Sequence, residues 1–283
     1  MTIAVTGASG QLGRLVADQL LATVDPAEVV LLTRDPATLA HYAERGAAVR
    51  AADFSRPEGL VEAFDGVERM LLISTDAVGA RVEGHRAAID AAAEAGVRHI
   101  AYTSVPEPTT DNPAGVVPDH AATEEALRAS GLSWTMLRNN LYAEMQLGAV
   151  AQAAASGQLV TNTGDGGAAY VTRADCAAVA VGVLTGDGHE GKVYDVTGPE
   201  AVTASDLADL AAQQAGRDVT VVTVDDDAYA EGLIAGGLPA AFAPLTVSFG
   251  AAIRLGKLAQ VTDVVETVGG RTPTALAHLS VAP

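Results

Sequence analysis

Short runs of apolar, often β-branched residues alternate with longer alanine-rich stretches of helical period along the first half of the chain. The runs at 2–6, 28–33, 48–52, 69–73, 98–103 and 133–137 have strand length and are apolar throughout rather than alternating. Between them the pattern predicts helices over 11–22, 36–45, 57–64, 81–95 and 118–130. Asp35-Pro36 reads as an N-cap followed by proline at the first helical position, and Gly46, Gly96 and Gly131 stand where helices should stop. Strands without a polar face, separated by helices, predict a parallel sheet covered on both sides.

The second half is less regular. Helices are expected at 142–155, 173–185 and 204–215, the last opened by Thr203 and Asp206 as a capping box. Strands are expected near 158–161, 168–171, 192–197 and 219–224. Asp225-Asp226-Asp227 reads as a solvated helix start rather than a metal site. Residues 232–260, rich in Gly, Ala and Pro, read as a mobile lobe over the active site. The expected fold is α/β, a Rossmann-type doubly wound parallel sheet with a smaller, less regular C-terminal substrate lobe. Residues 1–155 would form the NAD(P)-binding domain, and 156–283 would return to the sheet and form the lobe.

Composition narrows the function classes. Of 283 residues 49% are apolar, so the chain can bury about 70% of its unfolded surface and is not a disordered protein. Lys and Arg number 17 against 35 acidic residues, a net charge of −18. That argues against nucleic-acid binding and against docking on an anionic membrane. No apolar run reaches the roughly 18 residues of a membrane span. The single cysteine, Cys176, allows no intrachain disulfide and no cysteine metal cluster, and no metal is expected. With no basic leader at Met1–Val5, the expected compartment is the cytoplasm. Partners would be a small-molecule acceptor and at most a second copy, as monomer or homodimer.

The sharpest motif is Gly7-Ala8-Ser9-Gly10-Gln11-Leu12-Gly13, directly between the first predicted strand and the first predicted helix. Gly7 would permit the tight turn, Gly10 the approach of a pyrophosphate, and Gly13 close packing of helix on strand. The helix N-terminus supplies free N–H donors and the positive end of a dipole. At the end of the second strand sits Thr33-Arg34-Asp35. Asp35 is already occupied as an N-cap, so Arg34 is the candidate for a 2′-phosphate, and NADP(H) is favoured over NAD(H).

The loop's G-x-x-G-x-x-G spacing resembles that of short-chain dehydrogenases/reductases. Their common catalytic unit is Tyr-x-x-x-Lys, in which the lysine lowers the tyrosine pKa. None of the six tyrosines here has a lysine four residues on, and neither Lys192 nor Lys257 is expected near the carboxyl edge of strands four to six. Ser104 ends the fifth strand, and Asp119-His120 with Glu124 follows in the region of the missing pair. His120 has an ordinary pKa near 6.5 and is a candidate proton donor.

Several further pieces are similar to the NmrA-like atypical short-chain dehydrogenases, above all to the members that reduce quinones and triphenylmethane dyes. They are the stretch from Val78 to Ala92 with Arg81 and His85, Ala101-Tyr102-Thr103-Ser104, Asp119-His120 to Glu125, Leu137-Arg138-Asn139-Asn140-Leu141-Tyr142, Thr172-Arg173-Ala174-Asp175, and the ending from Gly269 to Leu279. The resemblance implies a Rossmann fold with NADP(H) against Gly7 to Leu12, Arg34, Asp53, Ser74-Thr75-Asp76, Thr103, Arg138-Asn139-Asn140-Leu141-Tyr142-Ala143 and Arg173. It implies Ser104, His120, Asn140 and Tyr142 at the reaction centre. Asn140 and Leu141 depart from the glycine and aromatic residue usual there, which alters the expected acceptor pocket.

Chemistry gives an independent expectation. Hydride transfer to a ketone leaves a basic alkoxide and needs a placed acid, whereas a quinone or cationic dye leaves a stabilised product. A dinucleotide fold without Tyr-x-x-x-Lys fits the second kind of acceptor. Two alternatives remain: a non-catalytic dinucleotide sensor, and a reductase of a specialised ketone, imine or lactone.

Overall fold

The structure is a computed structural model that describes residues 1–279; the last four residues of the expected 156–283 segment lie outside the described residues. Seven parallel strands form the central sheet: β1 (Ile3–Val5), β2 (Val29–Thr33), β3 (Ala48–Ala51), β4 (Arg69–Leu72), β5 (His99–Ser104), β6 (Ser133–Asn139) and, after the two short strands β7 (Gln158–Thr161) and β8 (Gly167–Ala168), β9 (Lys192–Val196). Their order is β3-β2-β1-β4-β5-β6-β9. The order reverses between β1 and β4, which opens a crevice at the carboxyl ends of those strands.

The strands are buried on both faces because helices cover both. On one face α1 (Gln11–Thr23) packs beside α7 (Arg173–Thr185), burying Leu12, Val16, Leu20, Val179 and Val183 against Ile3, Val5 and Leu31. The other face carries α3 (Leu60–Ala63), α4 (Arg81–Glu94) and α5 (Val117–Ala129), which cover Ala4, Met70, Ile100 and Tyr102. At about 25 cal/mol per Å² of apolar surface, this two-sided burial supplies most of the free energy that holds the sheet between its helices.

The expected long helix over 36–45 is instead a 3-10 turn, Pro36–Leu39, followed by one α turn, α2 (Ala40–Ala43). The same replaces 57–64, where Pro57–Gly59 precedes α3. In both, the turn that proline opens is 3-10 and only a single α turn follows. Asp35 does cap its turn, accepting from the Ala37 N–H at 3.1 Å.

A third apolar cluster belongs to the smaller lobe. It joins Val117, α6 (Gln146–Ser156), β8 paired with β10 (Val202–Thr203), α8 (Ala204–Ala215), and α10 (Ala243–Arg254). The capping box of Thr203 and Asp206 opens α8. β11 (Thr220–Thr223) pairs with β7, and Asp225 caps α9 (Asp226–Ala235), as a solvated helix start should. Asp226 ion-pairs with Arg254 of α10. The strand expected at 168–171 is only the two residues of β8. Residues 232–260 contain α10, whose Ala252 and Ile253 lie in the lobe's core. A last short helix, α11 (Val264–Thr267), lies against α7.

Candidate active site

The crevice is a groove with a cavity of about 700 Å³ at the carboxyl ends of β1, β2 and β4. The loop from Gly7 to Gly13 forms its floor. Gly7 has φ +59°, a left-handed conformation that other residues rarely adopt. Gly13 faces the turn so closely that a Cβ there would lie 2.4 Å from the Gly7 carbonyl oxygen and 2.7 Å from the Ala8 Cα. Helix and strand can meet at that distance only with glycine. Gly10 is the N-cap of α1 and brings no side chain to the first-turn N–H groups. Those donors, with the dipole behind them, form a ready site for a diphosphate.

The β2 end completes this half. Thr33 Oγ1 donates to Ser9 Oγ at 3.0 Å, and the Ala8 N–H donates to the Leu32 carbonyl at 3.0 Å, so loop and strand end are tied together. Arg34 lines the groove and is exposed. Asp53 lines it beyond β3. Its carboxylate accepts from the N–H and hydroxyl of Ser55, which hold it below the usual carboxylate range.

The wall opposite is the segment between β4 and α4. Its backbone is pinned residue by residue: the Ile73 N–H donates to Thr6 Oγ1, Ser74 to Thr103 Oγ1, Thr75 to His85 Nε2 and Gly79 to Asp119 Oδ2, at 2.6–3.2 Å. Because Thr123 donates its own proton to the Asp119 carbonyl, His85 must donate through Nδ1 to Thr123 Oγ1. His85 is therefore neutral, and burial beside Arg81 pushes it down to about 4.

The residues expected at the reaction centre are differently placed. His120 is 3% exposed behind this wall, not on the groove lining. Its Nδ1 is 2.8 Å from the Tyr102 hydroxyl, and burial next to Arg81 and His85 pushes its pKa down to about 3. Ser104 donates to Glu124 Oε1 at 2.7 Å. Glu124, 1% exposed, also receives both arms of Arg138 at 2.9 and 2.8 Å, and Arg128 at 2.7 Å. Burial pushes this carboxyl up, but the bonds from Arg138 and Ser104 outweigh it and hold it low. Asn140 donates to the Leu258 carbonyl at 2.9 Å and accepts from the Leu141 N–H at 2.8 Å, joining the β6 loop to the lobe. Tyr142 lies under the Arg173 guanidinium, 4.4 Å from its ring centroid; burial keeps its hydroxyl protonated. Arg173 in turn pairs with Glu144 at 3.3 Å.

Gly7, Ser9, Gly10, Arg34, Asp53, Ser74, Thr75 and Asp76 thus converge on one groove, while Ser104, His120, Arg138 and Asn140 turn to internal partners. Phe54 and Gly84 of the groove wall carried no expectation from the sequence, and Arg81 stood in the 78–92 stretch without a site role. Their signal was the Arg81-x-x-x-His85 spacing, which puts both side chains on one helix face, with Gly84 against Phe54. Neither lysine is expected near the strand ends, whereas Lys257 ion-pairs with Glu107 and Asp111 in the loop after β5. Among the described residues no cluster of His, Cys, Asp and Glu could hold a metal, and no helix is long and apolar enough to cross a membrane.

A family model described as NAD(P)H-binding matches residues 7–187. Quinone oxidoreductase 2 of Escherichia coli is 38% identical over 276 residues, covering 98% of this chain and 96% of that one. The crystal structure of the NADPH-dependent quinone oxidoreductase from the same organism, complexed with NADPH, superposes with a TM-score of 0.94 over 98% of this chain and 97% of that chain. Triphenylmethane reductase of Citrobacter sp., complexed with NADP(H), is 33% identical with a TM-score of 0.89, covering 98% of each chain. Groove, glycine loop and these likenesses agree: the chain belongs to the NAD(P)H-binding family of Rossmann-fold oxidoreductases.

Proposed function

We propose that the protein is an NADPH-dependent reductase of quinones or similarly delocalised acceptors. The residues fit the cofactor: the uncapped start of α1 would take the diphosphate, Arg34 the 2′-phosphate, and Asp53 with Phe54 the adenosine end. When bound, the dinucleotide supplies a hydride from its nicotinamide ring. The chain's part is to orient and to exclude water, with the pinned segment from Ile73 to Gly79 as one wall.

The observation that carries the reading is the state of the acid candidate. His120 is neutral, buried and bonded to Tyr102, so at neutral pH it lacks the acidic imidazolium proton that a general acid would give. Ser104 donates to a carboxylate whose low pKa keeps it from relaying one. A ketone would find no ready acid among these side chains; a quinone needs none, because a hydroquinone anion is far less basic than an alkoxide.

The test is stopped-flow absorbance at the nicotinamide band with NADPH and a simple benzoquinone. Rapid oxidation of NADPH is expected. Tight NADPH binding without turnover on any quinone or dye would replace the reductase with a dinucleotide sensor.

A further inference from the structure

Residues 74–80 run from β4 to α4 without a single buried side chain, and none of them joins an apolar cluster of the described residues. Yet Ser74, Thr75, Asp76, Ala77 and Ala80 all line the groove. With no apolar anchor, this part of the wall is fixed by hydrogen bonds from its backbone to side chains behind it. The Ser74 N–H donates to Thr103 Oγ1 at 2.8 Å, and the Gly79 N–H to Asp119 Oδ2 at 2.6 Å. Between these ends the Thr75 N–H donates to His85 Nε2 at 3.2 Å.

His85 itself does not reach the groove. It is fully buried, with its ring edge-on to Phe54 and Tyr102 at centroid distances of 6.4 and 5.7 Å. Its Nδ1 donates to Thr123 Oγ1 at 3.0 Å, and Thr123 passes its own proton to the Asp119 carbonyl at 2.8 Å. That chain leaves Nε2 with the lone pair, aimed at Thr75. So α5 selects the tautomer, and α4 presents the acceptor to the wall. Asp119 serves twice, its carbonyl ending the chain and its carboxylate holding Gly79. We propose that His85 is a positioning residue for the dinucleotide: without touching it, Nε2 holds Thr75 and its neighbours where the cofactor is received. This rests on the reading of the groove as the NADPH site. An apolar side chain in place of the imidazole would leave the Thr75 N–H without its acceptor and the wall free to shift.

The test compares His85→Leu with His85→Gln by calorimetric titration with NADPH and by thermal unfolding. Leucine fills the apolar site beside Phe54 and Tyr102 but offers Thr75 no acceptor. Glutamine brings a carbonyl oxygen near the place of Nε2, while burying an amide that lacks a full set of partners. We expect His85→Leu to bind NADPH about tenfold more weakly or worse. His85→Gln should recover most of that loss although it melts at a lower temperature than the leucine variant. Affinity and stability then rank in opposite orders, which a merely structural role would not produce. Wild-type affinity in folded His85→Leu overturns the proposal, as does a glutamine variant that binds as weakly as the leucine one. Should either variant not fold, amide hydrogen exchange on the wild type decides. A Thr75 N–H protected both with and without NADPH supports a wall held before the cofactor arrives; one that exchanges as fast as the Ala77 N–H in the free protein overturns it. A wild type that binds no NADPH would sink the reading of the groove and this proposal together, whereas the variant outcomes above sink the proposal alone.

Discussion

The two halves of the crevice use their polar groups in opposite ways. On the β1–β2 side, donors are left open: the first turn of α1 has no capping side chain, and Arg34 is exposed on the groove. On the β5–β6 side, donors and acceptors are closed on one another: Ser104 on Glu124, Glu124 on Arg128 and Arg138, Asn140 on Leu258 and Leu141. Both halves lie at carboxyl strand ends, where α/β proteins bind ligands. The open half is built to receive charge, and the closed half is built to hold shape. A reaction that needs binding and orientation but no proton from the protein asks for that division.

The comparison breaks most sharply at Glu124. Glu124→Ala leaves two arginines facing a vacated buried site and removes the acceptor of Ser104. We expect a loss of about 3 kcal/mol in urea unfolding, toward the low end for a broken buried pair because Arg128 and Arg138 still reach solvent. The carboxyl is held low in the fold, so its contribution is present above the unfolded value of about 4.3 and is lost as pH falls through the folded value. A loss under about 1 kcal/mol would mean the β5–β6 cluster is not what holds that half together.

In the open half the largest effect belongs to the loop. A Cβ at Gly10 would lie 3.2 Å from the Gly7 carbonyl, a contact that small shifts can absorb. Gly10→Val should therefore fold yet place a branched side chain where the diphosphate must approach. Titration should show NADPH affinity reduced about a hundredfold or more, while far-UV circular dichroism stays unchanged. Retained affinity in a folded variant would remove the loop from the phosphate site. Gly13 is not a useful substitute, because its Cβ would meet backbone atoms and disturb α1 itself.

These two halves were not equally legible in the sequence. The strand–helix alternation, α7 over 173–185, the α8 capping box and the glycine loop depend on neighbours in sequence, and each stands where the pattern put it. Arg34 and Asp35 separated cleanly, one exposed on the groove and one in the cap. The closed half depends on residues brought together by folding. Nothing local to Asn140 announces the Leu258 carbonyl 118 residues away. Nothing local to Lys257 announces Glu107. The same holds for Asp175, buried at the start of α7, whose carboxylate takes the Thr274 N–H and the Arg271 guanidinium. Asp175 thus ties the start of α7 to the segment at 271–274. Histidine was hard to read for a further reason. Its ordinary pKa suggests a proton donor, but burial next to a guanidinium reverses that.

Arg34 tests how far the open half recognises charge. Arg34→Ala should weaken NADPH about ten- to a hundredfold, the scale of a lost charge-assisted contact, and leave NADH nearly untouched. Raising ionic strength should narrow the wild-type preference as well, because Arg34 is exposed and screened. Equal binding of NADH and NADPH by the wild type would overturn the assignment of a 2′-phosphate contact to Arg34.

The smallest expected effect concerns His120. General acid catalysis typically contributes about 10²–10⁴-fold, so a true donor could not be lost quietly. Glutamine at this position can accept from Arg81 and donate to Tyr102, preserving the closed network. We expect His120→Gln to lower kcat/KM for a benzoquinone by less than about tenfold, with a profile flat from pH 5 to 8 in both proteins. Stability should respond instead. The imidazole is neutral in the fold down to about pH 3 and protonates near 6.5 when unfolded, so the unfolded chain binds more protons between those values. Wild-type stability should therefore fall as pH drops below 6.5, by up to about 1.4 kcal/mol per pH unit from this group, and the variant should show a shallower fall. A hundredfold loss of quinone turnover, with a break near pH 6–7 that disappears in the variant, would show that the closed half opens during the reaction and that His120 is the acid.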